Sequence, residues 1–204
     1  MSMPKLLLAT KNQAKAQEYL LLLQGLPFEL TNLAEQGIDT VVNETGETLE
    51  QNATLKAQAY ASLSDMLAMA DDSGLEVDAL GGEPGALSAR YAGANASDED
   101  RIERLLKRLE GIPWEGRNAR FRCVIAIASP GGKVEVCHGE CQGIITFNAK
   151  GENGFGYDPV FYLPEQGKTM AELSMEEKNE ISHRGLAARR ARQVLERHIA
   201  QQKE

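Results

Sequence analysis

The chain has 204 residues and a mass of 22.3 kDa, which at roughly 150 residues per domain allows one large domain or one domain with two lobes. A content of 42% apolar and 25% charged residues excludes a disordered tail, a collagen-like repeat and a coiled coil. Twenty-two Lys and Arg against 30 Asp and Glu leave a net charge of −8, a field that repels polyanions and disfavours binding to a nucleic-acid polymer.

Lys5 to Thr10 is an apolar run of the kind that forms a strand buried on both faces, and a helix is expected from Ala14 until Gly25 and Pro27 stop it. A second strand follows at Phe28 to Asn32. Six carboxylates and no Lys or Arg lie between Glu29 and Glu50, a solvated face or a place to hold a cation. The next helix, Thr48 to Ser64, opens on Thr48-x-x-Gln51 in the spacing of a capping box and sets Asn52, Lys56 and Tyr60 on one face. Leu67 to Ala70 reads as a short strand delivering Asp71-Asp72-Ser73-Gly74 at its end, with Leu75 to Leu80 alternating weakly beyond it. Gly81, Gly82, Pro84 and Gly85 are the densest turn signal. A polar helix from Asp98 to Glu110 closes at Gly111 and Pro113, and strands at Ala119 to Ser129 and Lys133 to Phe147 form a hairpin through Pro130-Gly131-Gly132. An Arg-rich helix from Gly185 to Gln202 ends the chain, whose residues from Lys178 to Glu204 hold seven Lys or Arg and three Glu. No repeat or linker divides it, so residues 1–204 are expected to form a single domain.

Three cysteines, Cys123, Cys137 and Cys141, are too few for a disulfide framework and suit a reducing cytoplasm. Cys137-His138-x-x-Cys141 lacks the second pair that a zinc site needs. Met1 to Thr10 fits neither a signal peptide nor a membrane span.

Four places carry residue types suited to nucleotide chemistry. Thr10-x-Asn12-x-x-Lys15 lies where a strand hands over to a helix, so backbone N–H groups, a hydroxyl, an amide and an ammonium could converge on an anion; the simpler reading is a capped helix beside a solvated Lys. No Gly-x-x-x-x-Gly-Lys-Ser/Thr is present, which argues against a Walker-type nucleotidase. Of the adjacent Asp71 and Asp72, one should face a site, where a carboxylate can bind Mg²⁺ and take a proton from water, and Glu44, just before Thr45-Gly46 in the acidic run, would complete a two-carboxylate metal site unless it is a surface Glu. Gly154-Phe155-Gly156-Tyr157-Asp158-Pro159 offers aromatic faces between glycines, to which a nucleobase fits, and Lys178 with Ser182-His183-Arg184-Gly185 gathers donors at the head of the last helix.

In this order the motifs resemble the inosine triphosphate pyrophosphatase family. The resemblance runs from Lys5 to about Arg190 and rests on Ala9-Thr10-Lys11-Asn12-x-x-Lys15, Glu44-Thr45-Gly46, Asn52-Ala53-x-x-Lys56-Ala57, Asp71 to Leu75, Ser88-Ala89-Arg90-Tyr91 with Gly93, Gly154 to Pro159 and Ser182 to Gly185. It implies an elongated mixed α/β fold with a long curved sheet, two lobes and a cleft, Mg²⁺ dependence, homodimers, and hydrolysis of ITP, dITP or XTP to the monophosphate and pyrophosphate. Carried onto this chain it implies that Thr10, Lys11, Asn12, Gln13, Ala14, Lys15 and Lys56 hold the phosphates, and that Glu44 and Asp72 hold the metal. Asp72 would also accept the proton, while Ser73, Phe155, Gly156, Tyr157, Asp158, Lys178, His183 and Arg184 would bind the nucleoside. A Maf-like pyrophosphatase acting on other modified nucleotides and a nucleotide-sensing module without turnover are the rival readings. No Nudix-type run of Arg-Glu with clustered glutamates is present.

Overall fold

The computed structural model describes residues 3–201. In chain order its elements are β1 (Lys5–Leu8), α1 (Gln13–Leu22), β2 (Glu29–Asn32), α2 (Leu49–Ser64), β3 (Leu67–Val77), α3 (Asp98–Arg108), β4 (Asn118–Ala128), β5 (Val134–Ile145), β6 (Phe161–Leu163), β7 (Lys168–Thr169), α4 (Met175–Ile181) and α5 (His183–Gln201), with short 3₁₀ turns between them. The expected end of the last helix at Gln202 lies outside the described residues. The strands form one mixed sheet in the order β2-β1-β3-β4-β5-β6-β7. β1 pairs in parallel with β2 and β3, each reached through a helix, whereas β6 is antiparallel to both β5 and β7.

Contacts divide the chain into two units. One comprises residues 3–72, 123–139 and 184–201, the other residues 73–122 and 140–183. In the first, Leu6 and Leu8 of β1, Met69 of β3 and Ile125 of β4 meet Tyr19 and Leu23 of α1. Ala187, Ala188 and Ala191 of α5 complete that core with small side chains, which let the helix lie close. In the second, Leu75 and Val77 of β3 pack with Phe121, Ile145 and Phe161 and with Leu105 of α3. Arg117 is buried there, and its guanidinium donates to the carbonyls of Ile145 (2.7 Å), Leu109 (2.9 Å) and Thr146 (2.9 Å), so a charged side chain takes up carbonyls at the end of α3 and of β5.

The helix starts follow their local chemistry. Asn12 caps α1, Thr48 and Gln51 form the expected capping box on α2, and Ser97 with Asp100 and Ser174 with Glu177 do the same for α3 and α4. Two sequence expectations are corrected. The strand expected to stop at Ala70 continues through Asp71-Asp72-Ser73-Gly74 to Val77, and a separate helix, α4, carries Lys178 ahead of the final one. β3 can continue past Gly74 because that residue lacks a side chain: a Cβ there would overlap the Gly85 carbonyl and lie 3.1 Å from Ser88 Oγ. Ser88 Oγ accepts the Leu75 N–H at 2.8 Å and donates to that carbonyl at 2.6 Å. Gly74→Ala is therefore expected to destabilise the protein by about 1–3 kcal/mol, the range for overpacking. An unchanged melting temperature would show that the Gly85 turn moves aside without cost. Among the described residues no helix is long and apolar enough to cross a membrane.

Candidate functional site

Adjacent residues on a strand point to opposite faces, and Asp71 and Asp72 obey this inside β3 rather than at its end. Both are buried and both meet cations, though not the same ones. Asp71 Oδ2 accepts from Lys15 Nζ at 2.8 Å and lies 3.8 Å from Arg184 Nε, while Arg184 Nη1 donates to Glu18 Oε2 at 2.7 Å. Asp72 Oδ1 lies 3.4 Å from Lys56 Nζ, and Asp72 Oδ2 accepts from Asn52 Nδ2 at 3.2 Å. Lys56 Nζ donates to Glu44 Oε1 at 2.6 Å, so one ammonium is shared by Glu44 and Asp72.

The environments drive the two carboxyls apart. Burial is the largest influence on each and raises both, but at Asp71 it is outweighed by Lys15, Arg184 and Lys56, which hold that carboxyl below the usual range. At Asp72 burial, joined by the neighbouring Glu44 and Asp71 charges, prevails over Lys56 and Lys15 and raises the carboxyl. Asp72 is therefore the more basic of the pair. Lys56 is the mirror case: burial favours its neutral form, yet Asp72, Asp71 and Glu44 raise its pKa and keep it charged. Two neighbouring acids driven in opposite directions can take different roles, one staying ionised and the other able to exchange a proton.

At the head of α1, Thr10 Oγ1 accepts the Asn12 N–H at 3.2 Å and Asn12 Oδ1 accepts the Lys15 N–H at 3.0 Å. Asn12 thus caps α1, and the Thr10 hydroxyl holds the backbone of that capping residue. Gln13 and Ala14 open the helix, where first-turn N–H groups have no acceptor within it. Lys11 Nζ donates to the Asp39 carbonyl at 2.9 Å. Lys15 is drawn to Asp71 rather than left in solvent.

The second unit gathers another set. Asp158 Oδ2 accepts from Lys178 Nζ at 2.6 Å and from the Phe155 N–H at 3.0 Å, and the same ammonium stands 4.8 Å from the centre of the Phe155 ring. Gly154 has φ +77°, and a Cβ on it would strike the Asp158 carboxylate, so both conformation and space require glycine there. The Gly156 N–H donates to Asp98 Oδ2 at 2.6 Å, and Tyr157 Oη donates to the Ser88 carbonyl at 3.0 Å. His183 is buried and stacks on Phe121, centroids 4.6 Å apart and planes 14° from parallel. Ser73 is half-buried in β3. Lys178 and Phe155 to Asp158 are thus brought together, whereas Arg184 lies in the first unit with Glu18 and Asp71.

Glu18, Asp98 and Phe121 were not foreseen as parts of these networks. Glu18 sits on α1 near Lys15, and no local spacing announces a partner 166 residues away. Cys137 and Cys141 face inward on β5 while His138 is exposed, its Nε2 3.7 Å from Glu50, and among the described residues no three His, Cys, Asp or Glu side chains gather to hold a metal ion.

Relatives bring independent information. A protein from Desulforamulus reducens named dITP/XTP pyrophosphatase is 50% identical over 193 residues, covering 95% of this chain and 96% of that protein. One of the same name from Geobacter sulfurreducens is 48% identical over 200 residues, covering 98% of each. Among solved structures, a HAM1 protein from Coxiella burnetii superposes with a TM-score of 0.88 at 41% identity, covering 96% of this chain and all (100%) of that one. The Staphylococcus aureus Ham1 protein gives a TM-score of 0.86 at 44% identity, with 95% and 99% covered. The Ham1 family model matches residues 6–194, nearly the span over which the motifs lie in order, and by that match and those identities the chain belongs to the Ham1 family.

Proposed function

We propose that this protein hydrolyses the non-standard purine nucleotides dITP, ITP and XTP to the nucleoside monophosphate and pyrophosphate, with Mg²⁺ as cofactor, as a cytoplasmic homodimer. The names of its relatives support the reaction, and three free, buried cysteines suit a reducing compartment. Residues 1–204 act as a single functional domain, since β3, β4 and β5 each contribute residues to both units.

The observation that carries the reading is the ammonium of Lys56 held by both Glu44 and Asp72. Two carboxylates that converge on one cation have the donor set for Mg²⁺, an ion that takes one or two protein carboxylates and fills its remaining positions with water and substrate phosphates. When bound, Mg²⁺ supplies positive charge to a triphosphate. Asp72, whose carboxyl burial raises, takes the proton from the water that attacks the α-phosphorus, and pyrophosphate leaves. Lys15 and Lys56 neutralise the charge that develops on it, while Thr10, Lys11, Asn12 and the N–H groups of Gln13 and Ala14 bind the phosphates.

Recognition of the nucleoside falls to Ser73, Phe155, Gly156, Tyr157, Asp158, Lys178, His183 and Arg184. Inosine and xanthine present a 6-oxo acceptor where adenine presents an amino donor, so adenine leaves donors such as those of His183 and Arg184 unmatched, at about 1–3 kcal/mol per buried group. Arg184 Nη1 donates to Glu18 Oε2 at 2.7 Å, which anchors the guanidinium, while its Nε stands 3.8 Å from Asp71 Oδ2, an ion-pair contact longer than a hydrogen bond.

A panel of dITP, ITP, XTP, ATP, GTP, dUTP and methylated nucleotides, read by pyrophosphate release, tests this. The 6-oxo non-standard purines are expected at least about 10-fold ahead of ATP, and only with Mg²⁺ present. Preference for dUTP or methylated nucleotides would favour the Maf-like alternative. Binding without release of pyrophosphate would make the protein a sensor.

A further inference from the structure

Asn52 belongs to no set of phosphate, metal or base contacts above, yet it is completely buried, with 0% exposure. A buried amide has to spend its hydrogen bonds on protein. Its Oδ1 accepts the Gly46 N–H at 2.8 Å, two residues beyond Glu44, and its Nδ2 donates to Asp72 Oδ2 at 3.2 Å. The two bonds fix which way the amide faces: reversed, it would set N–H against N–H at Gly46 and a carbonyl oxygen against a carboxylate.

Lys56 follows four positions later on α2, hence on the same face. Asn52 ties Gly46 to Asp72 Oδ2, and Lys56 ties Glu44 to Asp72 Oδ1. One helix face therefore holds both oxygens of Asp72 and, with the same two side chains, the segment that carries Glu44. Lys56 must serve a triphosphate as well, but the Asn52 rung is neutral and directional and makes no demand on substrate. Gly46 leaves room for this contact, since a Cβ there would come within 2.6 Å of Gln51 Cβ and 2.7 Å of Asn52 Oδ1.

The geometry points to Asn52 as a positioning residue that holds the Asp72 carboxylate and the Glu44 segment in mutual register for a divalent cation. This rests on the reading of Glu44 and Asp72 as metal ligands. Partners that orient ligating carboxylates typically carry a 10- to 100-fold share of metal affinity or activity.

The test measures Mn²⁺ binding without nucleotide, kcat and KM for dITP at varied Mg²⁺, and thermal melting, in the full chain and in the variants Asn52→Ala and Asn52→Asp. Asn52→Ala is expected to weaken Mn²⁺ binding and lower kcat by about 10- to 100-fold at fixed Mg²⁺, with KM for dITP within about twofold and kcat partly restored by excess Mg²⁺. Asn52→Asp keeps the volume and the acceptor for Gly46 but turns a donor to Asp72 into a second carboxylate, so kcat falls while cooperative melting is retained. A change of about twofold or less in Mn²⁺ affinity and kcat for Asn52→Ala, or in kcat for Asn52→Asp where only that variant melts cooperatively, would overturn the inference. Asp72→Asn, run in parallel, separates the two levels. If it keeps full turnover the metal reading itself fails, whereas an inactive Asp72→Asn beside an unaffected Asn52→Ala removes only the role given to Asn52.

Discussion

Asp72→Asn is expected to lower kcat for dITP by about 10²–10⁴-fold, the range that a positioned general base contributes, while the melting temperature stays close to that of the parent protein. The substitution keeps the shape and one acceptor oxygen but removes the charge that Lys56 meets at 3.4 Å and the basicity that burial gives the carboxyl. With a neutral amide beside Glu44, the cation site also loses half of its protein charge. KM should move little, because the phosphate and base contacts come from other residues. Near-normal turnover in Asp72→Asn together with abolished turnover in Asp71→Asn would exchange the roles assigned to the two.

Asp71→Asn should instead be a stability mutant. Asp71 is buried against Lys15 at 2.8 Å and Arg184 at 3.8 Å, and removing one partner of a buried ion pair costs about 3–5 kcal/mol because the remaining charges lose their compensation. Chemical denaturation at neutral pH should show that loss in the midpoint without a change in slope. The pH dependence has a definite sign. The folded carboxyl lies below its unfolded value, so its contribution is complete above roughly pH 4 and is lost as pH falls through the folded pKa. The gap between parent and variant should therefore be flat near neutrality and close in acid. A gap that widened on acidification would show that Asp71 is not held ionised by these cations.

The elements legible in the sequence are those whose information is local. Asn12 before α1, the Thr48 and Gln51 box before α2, and the glycine-rich turn between β4 and β5 each declare themselves within a few residues. β3 misled for the opposite reason. Asp-Asp-Ser-Gly has turn composition, and it stays extended because Lys15, 56 residues earlier, and Arg184 on the last helix compensate its first carboxylate while Asn52 and Lys56 meet its second. Helix α4 had its Ser174 and Glu177 signal, but seven residues give too little periodicity to stand out. At the candidate site, residue types and order were legible and partnerships were not. The sequence alone left open which of Asp71 and Asp72 turns toward the chemistry, since that depends on which face of a strand α2 covers.

The pairing of β3 with β1 sets Leu67 opposite Leu6, Ala68 opposite Leu7 and Met69 opposite Leu8. Strand side chains alternate with a period of two, so inserting or deleting one residue between Met69 and Asp71 would send each aspartate to the face the other now occupies. The chain would keep its composition, its motif and both carboxylates. It would nonetheless offer Lys56 and Glu44 the carboxylate meant for Arg184, and bury the other where no water reaches it. Reading frame along this one strand is thus part of the enzyme's specification, a constraint on its evolution that no inventory of conserved residue types would express.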